Sequence, residues 1–453
     1  MKVVMKNEWE SMQWHSQRFT PDASVWRISG NKYPFNQRGV SLSWLILANG
    51  ADETDPYLES RHQMVETCIA TAGVTDPRVL HSIRNTLRHE FMPEEMWKQA
   101  YLDMAVPIGD SQTISSPFTV ALMTETLRPR ETDRVLEVGT GSGYQAAVLS
   151  PLVEHVYSIE IMPCLSRQAS ETLCRLKYDN VSTRVADGFE GWSEAAPFDK
   201  IIVTCSPESV PEPLVAQLRE GGTLIIPVGE RYQQTLFRMV KTNGKLVQEE
   251  LRPTLFVPMT GEAEDGRQVL PDATSPAVVN GDFEIKPRQP NVSASSLKTV
   301  PNATPLTDQV PGWYYGRQVS LMDGNSRNPA AVGKAFVRLT NQTPGLSSHL
   351  LQGISVDGRH VQQLVLSGSC RTRGVVLGAD ANAAPMVSIS LYDDSRSELA
   401  VFWLGPFGGT HDWKTQETVF DVPDTSREAI LRIGLFGSTG TADFDSIRLS
   451  RAL

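Results

Sequence analysis

The most constraining feature of this 453-residue chain is a short apolar segment that runs directly into three glycines at alternate positions. Residues 135–138 precede Gly139, Gly141 and Gly143, and an alanine-containing apolar segment follows. Glycine permits tight turns and close approach to a ligand, and the start of a following helix offers unpaired backbone N–H groups. The pattern predicts a strand, a loop and a helix that together hold a nucleotide-type cofactor.

A second apolar segment, residues 156–159, ends in Glu160. A carboxylate at the end of that strand is placed to accept hydrogen bonds from ribose hydroxyls. Short apolar segments alternate with helical stretches between residues 133 and 241, at 134–138, 156–159, 200–204 and 223–227. This alternation predicts an α/β domain with a doubly wound, Rossmann-like parallel sheet.

The spacing of the glycines narrows the choice of cofactor. Dinucleotide sites use G-x-G-x-x-G, whereas this chain has G-x-G-x-G directly after Glu137. A carboxylate there would repel a pyrophosphate but would suit the positive amino-acid end of S-adenosylmethionine. Methyl transfer is therefore favoured over hydride transfer. Asp187-Gly188, after the third predicted strand, could accept from an adenine amino group, although the same dipeptide is common in ordinary turns.

Composition excludes several classes of partner and site. The formal charge of −10 disfavours nucleic acid and anionic membranes, and no apolar run is long enough for a membrane span. The five cysteines lack C-x-x-C spacing and the eight histidines form no H-E-x-x-H pair, so we predict no metal. Residues 38–51 resemble an export signal but lie far from Met1. We expect a cytoplasmic protein, with export as the alternative if that segment acts as a signal.

The chain is long enough for at least two domains. We predict an N-terminal extension at 1–55, a catalytic domain at 56–260 with a helical entry, and a linker at 261–276 that is rich in Gly, Pro, Asp and Glu. From residue 277 to 453, period-two alternation and glycine-rich turns predict an all-β, jelly-roll-like sandwich. Its strands are expected near 334–339, 362–366, 387–391, 400–404, 418–422 and 430–435.

The catalytic domain resembles protein-L-isoaspartate O-methyltransferase over roughly residues 57–260. The resemblance rests on Ile108-Gly109, on Gln-Thr-Ile-Ser-Ser-Pro at 112–117, on 123–125 and on the glycine segment at 134–149. Later blocks at 196–199, 221–222, 227–229 and 256–258 are also similar. The Thr-Ile-Ser block is not shared by generic S-adenosylmethionine enzymes.

The resemblance implies methyl transfer from S-adenosylmethionine to the α-carboxylate of L-isoaspartyl residues in damaged proteins and peptides. A carboxylate is already ionised at neutral pH, so no strong general base is required. Ser115 is the implied catalytic position, and a helix N-cap before Pro117 is a compatible structural role for it. The implied cofactor residues are Thr113, Ile114, Glu137, Gly139, Gly141, Ser142, Glu160, Asp187, Gly188 and, as a weaker match, Gln234. The chain departs from the family at Ala186, Cys205 and Ser206.

The C-terminal domain resembles carbohydrate-binding jelly-roll modules at 280–284, 311–314 and 442–449. Trp313, Tyr314, Trp403 or Trp413 could stack on sugar rings, or could instead fill the core of the sandwich. Spacing alone does not make a calcium site of Glu284 and Asp445. A glycan or another surface ligand is therefore a possible partner of this domain.

Two other functions stay open from the sequence. One is a small-molecule methyltransferase, and the other is a binding protein that acts through its β-sandwich on a degenerate methyltransferase scaffold. The intact glycine, carboxylate and serine positions favour an enzyme.

Overall fold

The computed structural model describes residues 55–287, 310–346, 348–378 and 382–452. The predicted N-terminal extension, apart from Asp55, and its signal-like segment at 38–51 lie outside these ranges. No helix in the described ranges is both long and apolar enough to cross a bilayer.

The helices of the first domain begin where the sequence supplies capping residues. Helix α3 starts with Pro117 after the N-cap Ser116, whose Oγ accepts from the N–H of Thr119, and α2 starts with Pro77 after the N-cap Asp76. The helices are α1 (Leu58–Met64), α2 (Pro77–Asn85), α3 (Pro117–Leu127), α4 (Tyr144–Leu149), α5 (Pro163–Arg175), α6 (Glu212–Gln217) and α7 (Glu262–Asp265). A π-helix (Val65–Ala70) follows α1, and 3-10 turns lie at Arg88–Phe91, Glu94–Gln99, Ser150–Leu152 and Ser193–Ala195.

A small hairpin and a seven-stranded sheet complete the first domain. The hairpin pairs β1 (Val106–Gly109) with β2 (Gln112–Ile114). The sheet has the order β5-β4-β3-β6-β7-β8-β9. Its strands are β3 (Arg134–Val138), β4 (His155–Glu160), β5 (Val181–Val185), β6 (Phe198–Val203), β7 (Leu218–Glu230), β8 (Gln233–Thr242) and β9 (Lys245–Thr254).

The order in which the chain adds strands to this sheet reverses at β3. From β3 it runs outward through β4 to β5, then crosses back to β6 on the other side of β3, and all these neighbours pair in parallel. Every residue of β6 and the last four of β3 are buried, as expected for strands covered on both faces. Ligands of open α/β sheets bind at the carboxyl ends of the strands where the order reverses, so the end of β3 marks the site.

The predicted α/β class is confirmed, but the sheet is mixed rather than fully parallel. Strands β7, β8 and β9 pair as antiparallel neighbours. The β8–β9 connection is a tight turn through Asn243 and Gly244, which both have positive φ. Asn-Gly between two apolar segments is a strong hairpin signal, so this feature was readable from the sequence.

The predicted all-β domain is also present. It consists of β10 (Val319–Asp323), β11 (Ala335–Asn341), β12 (His349–Ser355), β13 (Gln363–Val376), β14 (Met386–Tyr392), β15 (Glu398–Leu404), β16 (Gly409–Asp421), β17 (Glu428–Gly434) and β18 (Thr439–Arg451). One sheet has the order β10-β11-β18-β13-β16 and the other β12-β17-β14-β15. Alternate residues such as Leu364, Leu366, Leu431, Ile433 and Phe444 fill the core between them.

The outward face of the five-stranded sheet carries polar and aromatic side chains that a loop of the same domain covers. Within residues 324–333, the carbonyl of Pro329 accepts from Arg371 Nη1 at 3.1 Å and from Trp413 Nε1 at 3.0 Å. Asn328 Oδ1 accepts from Arg371 Nη2 and Arg373 Nη2. The Arg371 guanidinium lies 4.5 Å from the ring centroid of Trp413. The loop therefore supplies hydrogen-bond acceptors for the side-chain donors on this face of the sheet.

The aromatic residues proposed for sugar stacking divide between several environments. Trp313 and Tyr314 are each only 2% exposed, and Trp313 donates from Nε1 to the carbonyl of Asn280. Trp313 therefore fills the core of the sandwich, whereas Tyr314 is buried against the first domain. Trp413 is half-buried under the loop, whereas Trp403 is 37% exposed.

The four-stranded sheet lies against the first domain. A Cβ added to Gly353 in β12 would lie 2.6 Å from the ring of Tyr232, and the Tyr232 hydroxyl is 3.5 Å from Glu428 Oε2. Tyr314 donates its hydroxyl to the carbonyl of Tyr232, and Tyr315 donates to the carbonyl of Leu255 at 2.7 Å. Close backbone approach and buried hydroxyl contacts make this an ordered interface.

The predicted linker at 261–276 contains the short helix α7 and contacts both domains. Arg267 is 7% exposed and donates to the carbonyls of Gly229 and Ser206, each at 3.1 Å. Further along, the carbonyl of Ala273 accepts from the N–H of Asp357 in the β-sandwich. The connection is thus held at both ends.

Candidate active site

The glycine loop after β3 forms the floor of a cleft. Gly139, Gly141 and Gly143 have φ values of +96°, +52° and +88°, which disfavour L side chains. A Cβ on Gly139 would lie 2.5 Å from Thr204 Oγ1, and this hydroxyl donates to the carbonyls of Val138 and Gly139. The loop therefore requires glycine both for its conformation and for its contact with the end of β6.

Glu160 at the end of β4 binds the glycine loop and also faces the cleft. Its Oε2 accepts from the N–H of Gly141 at 2.8 Å and its Oε1 from the N–H of Met162 at 3.0 Å. The residue is 6% exposed. Each oxygen keeps acceptor capacity after one backbone bond, so the carboxylate can also accept from a ligand's hydroxyl groups.

Behind the loop lies a fully buried carboxyl group, that of Glu137. Ser158 Oγ donates to Glu137 Oε2 at 2.5 Å, and Thr140 Oγ1 lies 2.6 Å from the same Ser158 oxygen. Glu137 Oε1 has no hydrogen-bond partner among the described residues. Burial raises the pKa of Glu137 to about 8, and the nearby Glu160 charge adds to this shift. A positively charged ligand group near the loop would offset the free-energy cost of ionising this buried carboxyl group.

The segment that carries Ser115 connects β2 to α3 and forms another wall of the cleft. Gln112, Thr113, Ile114 and Ser115 all line the cleft. The N-cap of α3 is Ser116 rather than Ser115, so the structural role considered for Ser115 falls to its neighbour. The Ser115 side chain makes no hydrogen bond within the described residues and is available to a ligand.

The remaining wall comes from distant parts of the chain. Residues 257–260 line the cleft together with Thr204 and Cys205. The N–H of Met259 donates to the carbonyl of Ser206, and the N–H of Ser206 donates to the carbonyl of Val257. Burial raises the pKa of the Cys205 thiol, so this cysteine stays protonated and is a poor nucleophile at neutral pH.

The sequence-predicted site residues fall into two groups. Those that line the cleft are Thr113, Ile114, Ser115, Gly139, Gly141, Ser142, Glu160 and Gly188. Glu137, Asp187 and Gln234 lie outside this lining. Asp187 accepts from the N–H groups of Glu262 at 2.8 Å and Phe189 at 2.9 Å, and Gln234 exchanges hydrogen bonds with the backbone of Phe256. These last two hold the segments that flank the 257–260 wall.

Several lining residues were not predicted as site residues. Gln145 donates from Nε2 to Thr124 Oγ1 at 2.9 Å, whereas its buried Oε1 has no partner among the described residues. Tyr144 precedes it, with its ring 4.9 Å from the Arg88 guanidinium. Both residues directly follow Gly143, and their position in the glycine motif was the available signal. Met259 and Thr260 carried no comparable signal, since only the tertiary fold brings them to the cleft.

Comparison with known proteins gives matches to the first domain. Residues 59–264 match the profile of the family described as Protein-L-isoaspartate(D-aspartate) O-methyltransferase. A protein-L-isoaspartate O-methyltransferase from Opitutus terrae is 48% identical over 203 residues, which cover 45% of this chain and 87% of that protein. The chain belongs to the protein-L-isoaspartate O-methyltransferase family. A member from Synechococcus sp. is 46% identical over 215 residues, covering 46% of this chain and 88% of that protein.

A solved protein-L-isoaspartate O-methyltransferase structure is 27% identical, with a TM-score of 0.41, and covers 47% of this chain and 71% of that one. Family membership confirms the predicted enzyme class and its S-adenosylmethionine cofactor. The matched residues end at 264, so the β-sandwich is an addition to the family's methyltransferase domain. In the described ranges, no group of three or more His, Cys, Asp or Glu side chains is placed to hold a metal ion.

Proposed function

We propose that this chain transfers the methyl group of S-adenosylmethionine to the α-carboxylate of L-isoaspartyl residues in damaged proteins and peptides. The ester favours ring closure to a succinimide, which reopens partly to normal aspartate. The observation that carries the proposal is the meeting of three features in one cleft, namely the glycine loop, the Glu160 carboxylate and the uncommitted Ser115 hydroxyl.

The cleft has the donors and the space that the cofactor requires. When bound, the cofactor supplies a methyl group on a positively charged sulfur. Gly139 has no Cβ and so leaves the floor open, and Glu160 has acceptor capacity for ribose hydroxyls. The other residues that we propose to contact the cofactor are Thr113, Ile114, Gly141, Ser142 and Gly188.

Glu137, Asp187 and Gln234 support the site from behind its walls. Glu137 fixes Ser158 and, through it, Thr140 of the glycine loop. Asp187 binds the N–H of Glu262, and Gln234 binds the backbone of Phe256. Asp187 retains one lone pair on each oxygen, so an adenine amino group can also donate to it.

Ser115 orients the substrate carboxylate for methyl transfer. Its hydroxyl donates to that carboxylate, which is already ionised and therefore needs no general base. Alignment of a carboxylate oxygen with the methyl group makes the reaction effectively unimolecular, a gain that can reach about 7 kcal/mol or more. Ser115 is a positioning donor in this mechanism, and no covalent enzyme intermediate forms.

A matched pair of peptides tests the proposal. One contains L-isoaspartate and the other normal aspartate at the same position, and both are incubated with the full-length protein and radiolabelled S-adenosylmethionine. We expect label in the isoaspartyl peptide alone. Label in neither peptide, with cofactor binding demonstrated by titration, would contradict the proposed substrate and favour a small-molecule methyltransferase.

We also propose a domain division, a cellular location and a second partner for this chain. We retain the division into a methyltransferase domain at 56–260, a connection at 261–276 and a β-sandwich at 277–453. A cytoplasmic location is supported by the supply of cofactor there, and the net charge of −10 disfavours nucleic acid. A glycan or surface ligand for the β-sandwich is supported by the exposed ring of Trp403. Loss of glycan retention on Trp403→Ala would test that contact.

A further inference from the structure

A buried ion pair joins the β-sandwich to the methyltransferase domain next to the Ser115 segment. Arg317, which precedes β10, pairs through Nη2 with Oδ2 of Asp103, and their side chains are only 16% and 6% exposed. The other Asp103 oxygen, Oδ1, accepts from the N–H of Phe118 at 2.8 Å. One carboxylate therefore binds a side chain of the added domain and a backbone group of the catalytic domain.

The backbone group that Asp103 binds lies in the first turn of α3. Ser115 and Ser116 immediately precede this helix, and the Ser116 hydroxyl accepts only from the N–H of Thr119 among the initial backbone donors. The N–H of Phe118 has no partner within the helix and takes Asp103 instead. The position of Asp103 thus influences where α3 starts and, with it, the direction of the Ser115 hydroxyl.

Other contacts with the β-sandwich surround the same segment. Ser111, in the turn between β1 and β2, donates from Oγ to the carbonyl of Asp394 at 3.3 Å. The Arg252 guanidinium lies 5.3 Å from the ring centroid of Phe118, and it is close enough to Tyr315 of the β-sandwich to interact with it electrostatically. The segment from Gln112 to Phe118 is therefore flanked by contacts that depend on the second domain.

We propose that Arg317 is a positioning residue for methyl transfer. It holds the Asp103 carboxylate in place, Asp103 holds the start of α3, and α3 fixes the Ser115 segment. The β-sandwich is then part of the catalytic architecture in addition to any ligand it binds. This inference rests on the proposed role of Ser115 in isoaspartyl methylation.

Steady-state kinetics of full-length variants test the coupling. Arg317→Ala is expected to lower kcat for the isoaspartyl peptide about tenfold, since small displacements of a positioning group have large effects on rate. The Kd for S-adenosylmethionine should stay within about twofold of wild type, because the glycine loop and Glu160 are untouched. Arg317→Lys keeps a cation beside Asp103 and should restore most of the rate.

Tyr314→Phe is the matched control. It removes an interdomain hydrogen bond to the Tyr232 carbonyl and leaves both the Arg317–Asp103 pair and the bond from the Phe118 N–H to Asp103 in place. We expect its kcat to stay within about twofold of wild type. An equal loss of kcat in Tyr314→Phe and Arg317→Ala would show a general effect of the interface and overturn the proposal.

Amide hydrogen exchange gives a readout that does not depend on turnover. Peptides spanning residues 112–122 should exchange faster in Arg317→Ala than in wild type and at the wild-type rate in Tyr314→Phe. If Arg317→Ala fails to fold, Arg317→Gln takes its place. Unchanged exchange in this segment would overturn the coupling. Failure of the wild-type protein to methylate the isoaspartyl peptide would overturn the proposed function, while the exchange result would still decide whether Arg317 orders the segment.

Discussion

Replacement of Gly139 by alanine tests the requirement for an open cleft floor. The new Cβ would lie 2.5 Å from Thr204 Oγ1, so Thr204 must turn away and lose its hydrogen bonds to the carbonyls of Val138 and Gly139. The Thr204 hydroxyl has one proton, which these two carbonyls share, so losing both contacts costs about 1 kcal/mol. The positive φ adds about 1–2 kcal/mol. We expect the free energy of unfolding to fall by about 2–3 kcal/mol.

Gly109→Ala is a close control. Gly109 has the same φ of +96°, but an added Cβ would meet nothing within 4 Å. Only the backbone term applies, so we expect a loss of about 1–2 kcal/mol. Urea unfolding of both variants measures the difference. Calorimetric titration should show about tenfold weaker S-adenosylmethionine binding for Gly139→Ala only. Equal destabilisation of the two variants would refute the steric argument.

Three further predictions concern single side chains. Ser115→Ala should lower kcat about tenfold and leave the cofactor Kd within about twofold, since one hydrogen bond to a charged group is lost; equal losses in both would contradict its role. Asp187→Ala frees the N–H groups of Glu262 and Phe189 and should weaken cofactor binding several-fold in a titration, and an unchanged Kd would remove Asp187 from the site. The pKa of Glu137 is raised from 4.5 to about 8 in the folded protein, so its contribution to stability is full below about pH 4.5 and is lost as the pH rises through 8. In urea unfolding without cofactor, the free energy of unfolding of Glu137→Gln should therefore rise relative to that of wild type between pH 5 and 8, by at most about 1.4 kcal/mol per pH unit. The same pH dependence of this free energy in both proteins would contradict the raised pKa.

The sequence predicted those parts of the fold that local patterns determine. Strand β3 occupies the predicted residues 134–138, because an apolar run followed by alternating glycines leaves few alternatives. Each of the six predicted β-sandwich segments coincides largely with a strand. Strand β18 was expected only through the resemblance at 442–449. Strands β10 and β12 were missed, since their burial alternates weakly and irregularly, and a weak periodicity gives little signal.

The candidate site was predicted where its residues follow a strand directly. Gly139 and Glu160 lie at the ends of β3 and β4, so the topology of a parallel sheet brings them together. The wall at 257–260 and the Arg317–Asp103 contact join residues that are far apart in the chain. Such contacts depend on how helices and strands pack against each other in the folded protein, so local residue patterns do not predict them.

The loop at 324–333 competes with any external ligand for the outward face of the five-stranded sheet. Pro329 and Asn328 already bind the donors of Arg371 and Trp413 that face outward there. The apparent affinity of any ligand for the face is its intrinsic affinity multiplied by the fraction of molecules with the loop open. With about 1% open, a micromolar site would bind at about 100 μM. A substitution that weakens the hold of the loop on Arg371 or Trp413 would therefore strengthen binding at this face without adding any contact to the ligand.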